Sequence, residues 1–416
     1  MYEVYENIKN NVKIIAIYLI KWFLISIIIG VAIGSLSAFF LKSLEWVTLK
    51  QNTYSWLLFL LPIGGAVISF LYKKIGKNAI RGNNLVIEQA NGENEEIPLI
   101  LVPLTLTGTL VTHLFGGSAG REGTAVQMGG AVAEFIGKLI KLNKLDRKII
   151  IICGISAGFS SVFGTPIAGT IFGLEVLSLG VIRHEALLPS FLSAFIANIV
   201  TLSYGITHTP YLIGSIPSFS IALFFKLIIA GIIFGIIGLV FSHSIVIIKR
   251  VYSKWIKDPV IRSFVGGVVI ILFVFIIGSR DYLGLSLPLL QQAFDGTANT
   301  FAFLWKLIFT VFTLGAGFQG GEVTPLFDIG ATLGSSLSQI LSVPTPFLAA
   351  LGFIGVFAAA TNTPIACFIM GMELFGSSSL VYLFLICVIS YICSGNSGIY
   401  SSQKREIKKV SHNKLW

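Results

Sequence analysis

Two glycine-rich segments interrupt apolar runs, and each carries a glutamate. The first, Gly116–Thr124, reads GGSAGREGT and contains Glu122. Glycine tolerates positive φ and close backbone approach, so such a segment can end one helix and start another, and the free N–H groups of a helix start bind anions. An ionised Glu122 would occupy that anion place, whereas a protonated Glu122 would vacate it and carry a proton. The segment therefore predicts exchange of an anion for a proton; the open alternative is a helix cap paired with Arg121.

The second segment, Gly320–Pro325, reads GGEVTP. Proline suits the first turn of a helix, so Pro325 marks a second helix start. Glu322 and Thr324 could face the same central cavity as Glu122, or they could be structural caps. The residues of this segment alone do not decide between these two interpretations.

Other polar residues stand at further interruptions. Glu175 and Glu373 end apolar segments and are predicted to be structural, buried and hydrogen-bonded. The segment Ala79–Leu85 (AIRGNNL) holds two asparagines, whose amides can donate to an anion, but taken alone it is typical of a loop. In Ser394–Tyr400, the hydroxyl of Tyr400 either contacts an ion or anchors the membrane interface.

An internal repeat pairs these features. A shift of 198 residues places Gly154–Leu177 on Gly352–Phe375 with a shared T-P-I-A and a shared glutamate. Just upstream, a shift of 200 residues places Val111–Ala131 on Val311–Ala331, which matches Glu122 to Glu322. Apolar composition does not align Gly, Pro, Thr and Glu in order, so we predict a duplication with approximate repeats 15–205 and 220–402. Paired repeats with broken helices are typical of transporters whose site lies near the membrane midplane.

The elements that position these residues must be membrane helices. Hydrophobic residues make up 55% of the 416-residue chain and charged residues 12%, against roughly 25% charged in a soluble domain. Apolar stretches long enough to cross a core of about 30 Å include Ile14–Phe40, Tyr54–Tyr72, Ile221–Ile248 and Phe347–Met370. There is room for ten or more helices, so we predict one all-α, polytopic transmembrane transport domain over residues 1–416.

The net charge of +10 comes from short basic clusters between apolar runs and in the tail. Short basic loops tend to stay in the cytoplasm, which predicts a cell-membrane protein with both termini cytoplasmic and no nucleic-acid partner. The first apolar run is too long for a cleavable signal peptide. The four cysteines lie inside apolar segments, and no two histidines have ligand spacing, so we expect no disulfide, metal site or cofactor.

Together these motifs resemble the CLC family of chloride channels and anion/proton exchangers, over roughly residues 15–402. The resemblance lies in G-R-E-G at Gly120–Gly123, in Gly320–Pro325 and in GTPIAG…E at Gly164–Glu175. It implies two inverted-topology repeats with discontinuous helices, a homodimer with one pore per subunit, and Glu122 as the external gate. No C-terminal regulatory domain is expected.

Departures from the chloride-handling members resemble the fluoride branch of that family. The first break, at Arg81–Leu85, lacks the serine that contacts chloride, and Val176 stands where the inner proton-transfer glutamate is expected. The resemblance implies export of fluoride in exchange for protons, with Glu322 and Thr324 assisting the proton path. The implied anion-binding residues are Asn83, Asn84, Gly123, Thr124, Val323, Thr324 and Tyr400. Which asparagine faces the anion stays open.

Three other functions compete with this prediction. A chloride/proton exchanger or passive chloride channel of the same family would be expected to keep the serine and the inner glutamate. An intramembrane enzyme using Glu122 and His113 lacks a recurring nucleophile–base pair. A scaffold protein would have no need of paired carboxylates at glycine-rich breaks. We therefore predict a transporter rather than an enzyme.

Overall fold

The computed structural model describes residues 2–93, 96–406 and 409, with side chains described from residue 11 onward. The described chain is almost entirely helical. The helices of its first half are α1 (Tyr2–Thr53), α2 (Leu61–Ile75), α3 (Asn83–Ala90), α4 (Leu101–Leu114), α5 (Glu122–Leu139), α6 (Lys144–Phe163), α7 (Pro166–Glu175) and α8 (Leu187–Ser203). Those of the second half are α9 (Ile221–Trp255), α10 (Pro259–Ile277), α11 (Leu287–Asp295), α12 (Ala302–Gly315), α13 (Val323–Leu341), α14 (Thr345–Thr361), α15 (Pro364–Phe375) and α16 (Leu380–Cys393). The 3-10 turns are Ser55–Leu60, Lys77–Arg81, His184–Ala186 and Ser377–Ser379, and the strands are β1 (Ser178–Leu179) and β2 (Lys404–Arg405).

The two halves have the same order of helices. Each starts with a long helix, α1 or α9, and each contains a short helix of 8 or 9 residues, α3 or α11. The helices α4 and α12 both have 14 residues, and α5 and α13 have 18 and 19. The two halves therefore share one order of helix lengths, and the repeat bounds 15–205 and 220–402 stay a prediction.

Reciprocal contacts between the halves indicate a two-fold relation. The N–H of Gly120 donates to the carbonyl of Gly321 at 2.6 Å, and the N–H of Gly321 donates back to Gly120 at 2.8 Å. The two residues form an isolated antiparallel bridge. A contact that is returned in this way arises when two equivalent segments pack about a two-fold axis. The axis therefore passes close to the two glycine-rich segments.

The surface is suited to lipid. Within the described residues, five segments are long and apolar enough to span a bilayer: Asn11–Thr53, Ser55–Ile75, His184–Ser203, Ile221–Trp255 and Pro259–Ile277. Their outward faces carry large apolar side chains, such as Phe39, Phe225 and Ile276, which are 60%, 59% and 78% exposed. Apolar groups so far exposed are stable against hydrocarbon rather than water. The all-α polytopic prediction is confirmed.

The apolar stretch Phe347–Met370 is not one spanning helix, which corrects the sequence expectation. It divides between α14 and α15 at Asn362, whose φ of +60° is left-handed, and Pro364 then starts α15. The first half breaks in the same way at Gly164, with φ of +74°, before Pro166. A left-handed residue followed by proline ends a helix whatever the hydropathy of its neighbours.

The expectation of a loop over Ala79–Leu85 is also wrong in its second part. Gly82, with φ of +54°, ends a short 3-10 turn, and α3 begins at Asn83. Without a Cβ, Gly82 can make this turn directly against the side chain of Gln127. The asparagines therefore stand at a helix start, a third one beside those of α5 and α13.

The segment after α16 returns to the first half. The N–H of Ser402 donates to the side-chain oxygen of Asn84 at 3.0 Å, and strand β2 pairs in parallel with β1. Gln403 accepts a hydrogen bond from Asn362 at 3.0 Å. These contacts tie the segment that carries Tyr400 to both halves.

Candidate functional site

The carboxylate of Glu122 crosses from its own helix to the start of α13. Its Oε2 accepts the backbone N–H of Thr324 at 3.0 Å, and the Thr324 hydroxyl lies 2.6 Å from Oε1 and 2.7 Å from Oε2. The side chain is 1% exposed. A buried carboxylate is stable there because it meets a backbone donor, a hydroxyl donor and the positive end of a helix dipole. Glu122 thus fills a place that a free anion could take.

The capping alternative accounts for only part of this geometry. On its own helix start, Glu122 accepts the N–H of Arg121 at Oε2, at 3.2 Å. The Nε of Arg121 is 3.5 Å from Oε1, which adds a charge partner. The shortest contacts of the carboxylate are those with Thr324 of the other half, 202 residues away.

Two cavities meet the glycine-rich segments. The first, the Glu122 cavity, has a volume of about 410 Å³ and is lined by Glu122, Arg121 and Thr324. The second, the Glu322 cavity, has a volume of about 180 Å³ and is lined by Glu322 among others. The expectation that Glu322 and Thr324 could face one cavity is therefore corrected, since successive residues of a helix's first turn point in different directions.

The Glu322 cavity collects most of the other predicted residues. Asn83, Asn84 and Tyr400 all line it. The Oε2 of Glu322 and the Oδ1 of Asn83 are buried and accept no hydrogen bond from any residue that the structure describes. Tyr400 is 7% exposed. The structure thus brings Tyr400, the two asparagines and Glu322 to one cavity.

The two asparagines have different surroundings. The side-chain oxygen of Asn84 is occupied by the N–H of Ser402. The Nδ2 of Asn83 lies 2.9 Å from where a Cβ on Gly123 would stand. The absence of that Cβ lets the amide of Asn83 approach the start of α5. Asn83 is therefore the asparagine that reaches the helix start next to Glu122.

Three of the predicted anion-binding residues, Gly123, Thr124 and Val323, offer backbone groups or packing rather than side-chain donors to Glu122. The hydroxyl of Thr124 is engaged with that of Thr109 at 2.7 Å and is not directed at Glu122. Gly123 packs against Gly321, and Val323 is 1% exposed in the main apolar core. The side chains of Thr124 and Val323 therefore do not bind Glu122, although their N–H groups belong to the two helix starts.

The repeated glutamates Glu175 and Glu373 are hydrogen-bonded as predicted. The carboxylate of Glu175 accepts the N–H groups of Ile365 and Ala366 at 3.1 and 2.8 Å. Glu373 accepts those of Ile167 and Ala168 at 3.0 and 2.8 Å. Each carboxylate therefore caps the proline-led helix of the opposite half. Glu175 is buried and Glu373 is half-buried.

The sequence analysis missed a pair of opposite charges that is fully buried between α12 and α13. Lys306 of α12 and Asp328 of α13 are both 0% exposed, and the Nζ of Lys306 is 3.5 Å from Oδ2 of Asp328. Each is the single charged residue of an otherwise apolar helix, and a search of the sequence for such residues would have found both. No group of three or more His, Cys, Asp or Glu side chains suited to a metal occurs among the described residues.

The broken helices, the central carboxylate and the lipid-facing surface define an integral membrane transport protein. A family model described as "Voltage gated chloride channel" matches residues 64–395. The chain therefore belongs to the voltage gated chloride channel (CLC) family, and the predicted family is confirmed. Membership agrees with a transporter rather than an intramembrane enzyme.

Several relatives cover almost the whole chain. A protein of Pseudomonas syringae pv. tomato named chloride/fluoride channel protein is 42% identical over 403 residues, covering 95% of this chain and 88% of the relative. The H(+)/Cl(-) exchange transporter of Yersinia pestis bv. Antiqua is 22% identical over 386 residues, covering 85% and 80%.

Solved structures agree with the fold. A CLC-type fluoride/proton antiporter has a TM-score of 0.91 at 36% identity, covering 93% of this chain and 98% of its own. A slow cyanobacterial Cl−/H+ antiporter has a TM-score of 0.80 at 20% identity, covering 91% and 96%. At that identity the second likeness concerns the fold alone.

Proposed function

We propose that this protein is a fluoride/proton antiporter of the cell membrane, with Glu122 as the group that exchanges the anion for a proton. The observation that carries the proposal is the carboxylate of Glu122 seated on the N–H and hydroxyl of Thr324. The relatives support the choice of anion, because one is named for chloride and fluoride and another is a fluoride/proton antiporter.

The exchange follows from the charge of Glu122. While ionised, the carboxylate is held by the Thr324 donors and by Arg121. A proton that arrives through the Glu122 cavity neutralises the carboxylate and weakens both the ionic and the charge-assisted hydrogen bonds. The neutral side chain can then leave, and a fluoride ion takes the vacated donors. Fluoride leaves when the carboxylate loses its proton and returns.

The proposed anion ligands donate hydrogen bonds from different chemical groups. The hydroxyl of Thr324 and the N–H groups at the start of α13, including that of Val323, bind the anion in the position now held by Glu122. On the side of the Glu322 cavity, the amide of Asn83 and the hydroxyl of Tyr400 receive it, with Asn84 nearby. Gly123 and Thr124 contribute their N–H groups. Fluoride is small and strongly hydrated, so several hydrogen-bond donors must replace the water it loses on binding.

Glu322 is the proposed carboxylate of the inner proton path. Val176 is buried in the apolar core and cannot carry a proton. Glu322 has a buried oxygen without a described partner and lies in the cavity that Tyr400 lines. Its side chain can therefore accept a proton from Glu122 after that side chain swings inward, with Thr324 guiding the movement.

The orientation in the membrane is part of the proposal. Arg81, Lys249 and Arg262 line the Glu322 cavity and belong to basic clusters at the helix ends that flank short connections. Because such clusters tend to be cytoplasmic, we place this cavity and both termini inside the cell and the Glu122 cavity outside. We also propose a homodimer in the lipid bilayer, with a pathway in each subunit.

The test uses purified protein in liposomes, with fluoride efflux, chloride efflux and proton uptake recorded together. We expect fluoride efflux to drive proton uptake and chloride to move much more slowly. Chloride moving as fast as fluoride would indicate a chloride exchanger, and anion flux without proton uptake would indicate a passive channel. Either result contradicts the proposal.

The role of Glu122 is tested by Glu122→Gln, which keeps the shape and removes the titratable group. We expect proton coupling to vanish in this variant. The matched control is Glu185→Gln, which alters an exposed carboxylate and leaves coupling intact. Proton uptake that persists in Glu122→Gln would remove Glu122 from the mechanism.

A further inference from the structure

The buried pair Lys306–Asp328 stands behind the anion position. Asp328 follows Thr324 by four residues in α13, so the two side chains lie on the same face of the helix, one turn apart. Thr324 is the residue that holds Glu122. Lys306 belongs to the neighbouring helix α12, and its Nζ approaches α13 at Asp328, 3.5 Å from Oδ2. The negative member of the pair is therefore the one nearer the anion.

The lysine is fixed from several sides. Its Nζ donates to the hydroxyl of Ser286 at 2.6 Å and to the carbonyls of Gly284 and Tyr282 at 3.0 and 3.4 Å. Together with Asp328 at 3.5 Å, these contacts satisfy the ammonium group. These bonds hold the ammonium of Lys306 against the segment just before α11, with Ser286 and Gly284 as its nearest partners.

The aspartate is poorly satisfied by comparison. Neither of its carboxylate oxygens accepts a hydrogen bond from any residue in the described part of the chain. A buried ion pair with such sparse hydrogen bonding contributes little to stability, because desolvation of the charges opposes their attraction. The pair is therefore better explained by the field it creates than by the fold it supports.

We propose that the buried pair Lys306–Asp328 is a positioning element that weakens the hold of the α13 start on its anion. Its negative end faces the Thr324 position and opposes the helix dipole there. A transported ion must bind well enough to enter and weakly enough to leave. The pair makes binding at the start of α13 weak enough for release, both of the Glu122 carboxylate and of fluoride. The inference rests on the proposed function.

Other charged groups also face Glu122 and must be held constant. On its own helix start there is Arg121, Tyr211 lies in the cavity wall, and the buried ring of His113 in α4 lies 3.5 Å from the carbonyl of Gly120. On the other side are Glu322 and Tyr400. Further out, the Glu122 cavity is also lined by Lys42, Glu45 and His208. None of these is altered in the variants below.

The test compares Asp328→Asn with Lys306→Met in liposomes, measuring fluoride-driven proton uptake against pH. Asp328→Asn leaves a positive charge, so Glu122 stays ionised to lower pH and the pH of half-maximal uptake falls. Lys306→Met removes the positive charge that offsets Asp328, and that pH rises. At an effective dielectric constant of about 20, one unit charge within about 10 Å alters proton affinity by about tenfold or more, or about one pH unit.

Fluoride binding measured by calorimetry in the Glu122→Gln background gives a second readout. We expect the dissociation constant to fall in Asp328→Asn and to rise in Lys306→Met. The double variant should return close to the parent in both measurements, and the exposed control Asp295→Asn should change neither. If the pair had only a structural role, both single variants would shift the pH of half-maximal uptake and the dissociation constant in the same direction. That result, or no shift in either quantity, overturns the inference.

If the single variants do not fold, the exchanged pair Lys306→Asp with Asp328→Lys keeps the net charge and brings the positive end nearer Glu122. We then expect the pH of half-maximal uptake to fall, and an unchanged value contradicts the inference. A parent protein that binds no fluoride and shows no fluoride-driven proton uptake would instead refute the proposed function itself.

Discussion

Replacing Thr324 by valine removes the hydroxyl that holds Glu122 while keeping the shape of the side chain. The backbone N–H of residue 324 still donates to Oε2 at 3.0 Å, so only the hydroxyl contacts of 2.6 and 2.7 Å are lost. A hydrogen bond to a charged group is worth about 1.5–3 kcal/mol, and one pH unit corresponds to about 1.4 kcal/mol. The substitution should therefore alter the proton affinity at Glu122 by about 1 to 2 pH units.

The sign follows from which form of Glu122 the hydroxyl stabilises. It donates to the ionised carboxylate, so its loss disfavours the charged form and lets the proton bind at higher pH. In liposomes at saturating fluoride, the pH of half-maximal proton uptake should rise by that amount. The Michaelis constant for fluoride should also rise, because the same hydroxyl is a proposed fluoride donor.

The matched control is Thr124→Val, the repeat counterpart of Thr324. Its hydroxyl bonds with Thr109 rather than with Glu122, so the pH of half-maximal uptake should stay unchanged. If Thr324→Val is too slow for flux measurements, infrared difference spectroscopy of the Glu122 carboxylate reports the same protonation. An unchanged pH dependence in Thr324→Val, or an equal shift in both variants, would refute the reasoning.

Three more predictions test the scaffold and the anion path. Glu175→Ala should lower the free energy of unfolding by about 2–4 kcal/mol, measured by reversible unfolding in detergent, because the buried N–H of Ala366 loses its 2.8 Å acceptor. Gly330→Ala should give little folded protein by size-exclusion chromatography, since a Cβ there would lie 2.1 Å from the carbonyl of Gly352; normal yield would contradict this packing. Asn83→Ala should slow fluoride transport in liposomes more than Asn84→Ala, because the Nδ2 donor of Asn83 approaches Gly123 at the start of α5, and equal effects would argue against Asn83 as the main anion ligand.

Much of the fold and the central residue could be predicted from the sequence. Composition and long apolar runs determine a membrane protein, because so few charges cannot cover a surface in water. The repeat and the glycine-rich breaks located Glu122 at a helix start, since glycine and proline act on the backbone locally. Hydropathy alone predicted one membrane-spanning stretch over Phe347–Met370. That prediction was wrong, because Asn362 and Pro364 divide the stretch into two helices.

The partners of these residues were decided by tertiary structure alone. Thr324 meets Glu122 across 202 positions, and Ala366 meets Glu175 across 191. Such contacts come from packing the halves about a two-fold axis, and no local pattern of residues encodes that distance. The sequence by itself determined which carboxylate stands at a helix start. Only the packing of α13 against α5 decided that this carboxylate accepts the N–H and the hydroxyl of Thr324 in the opposite half.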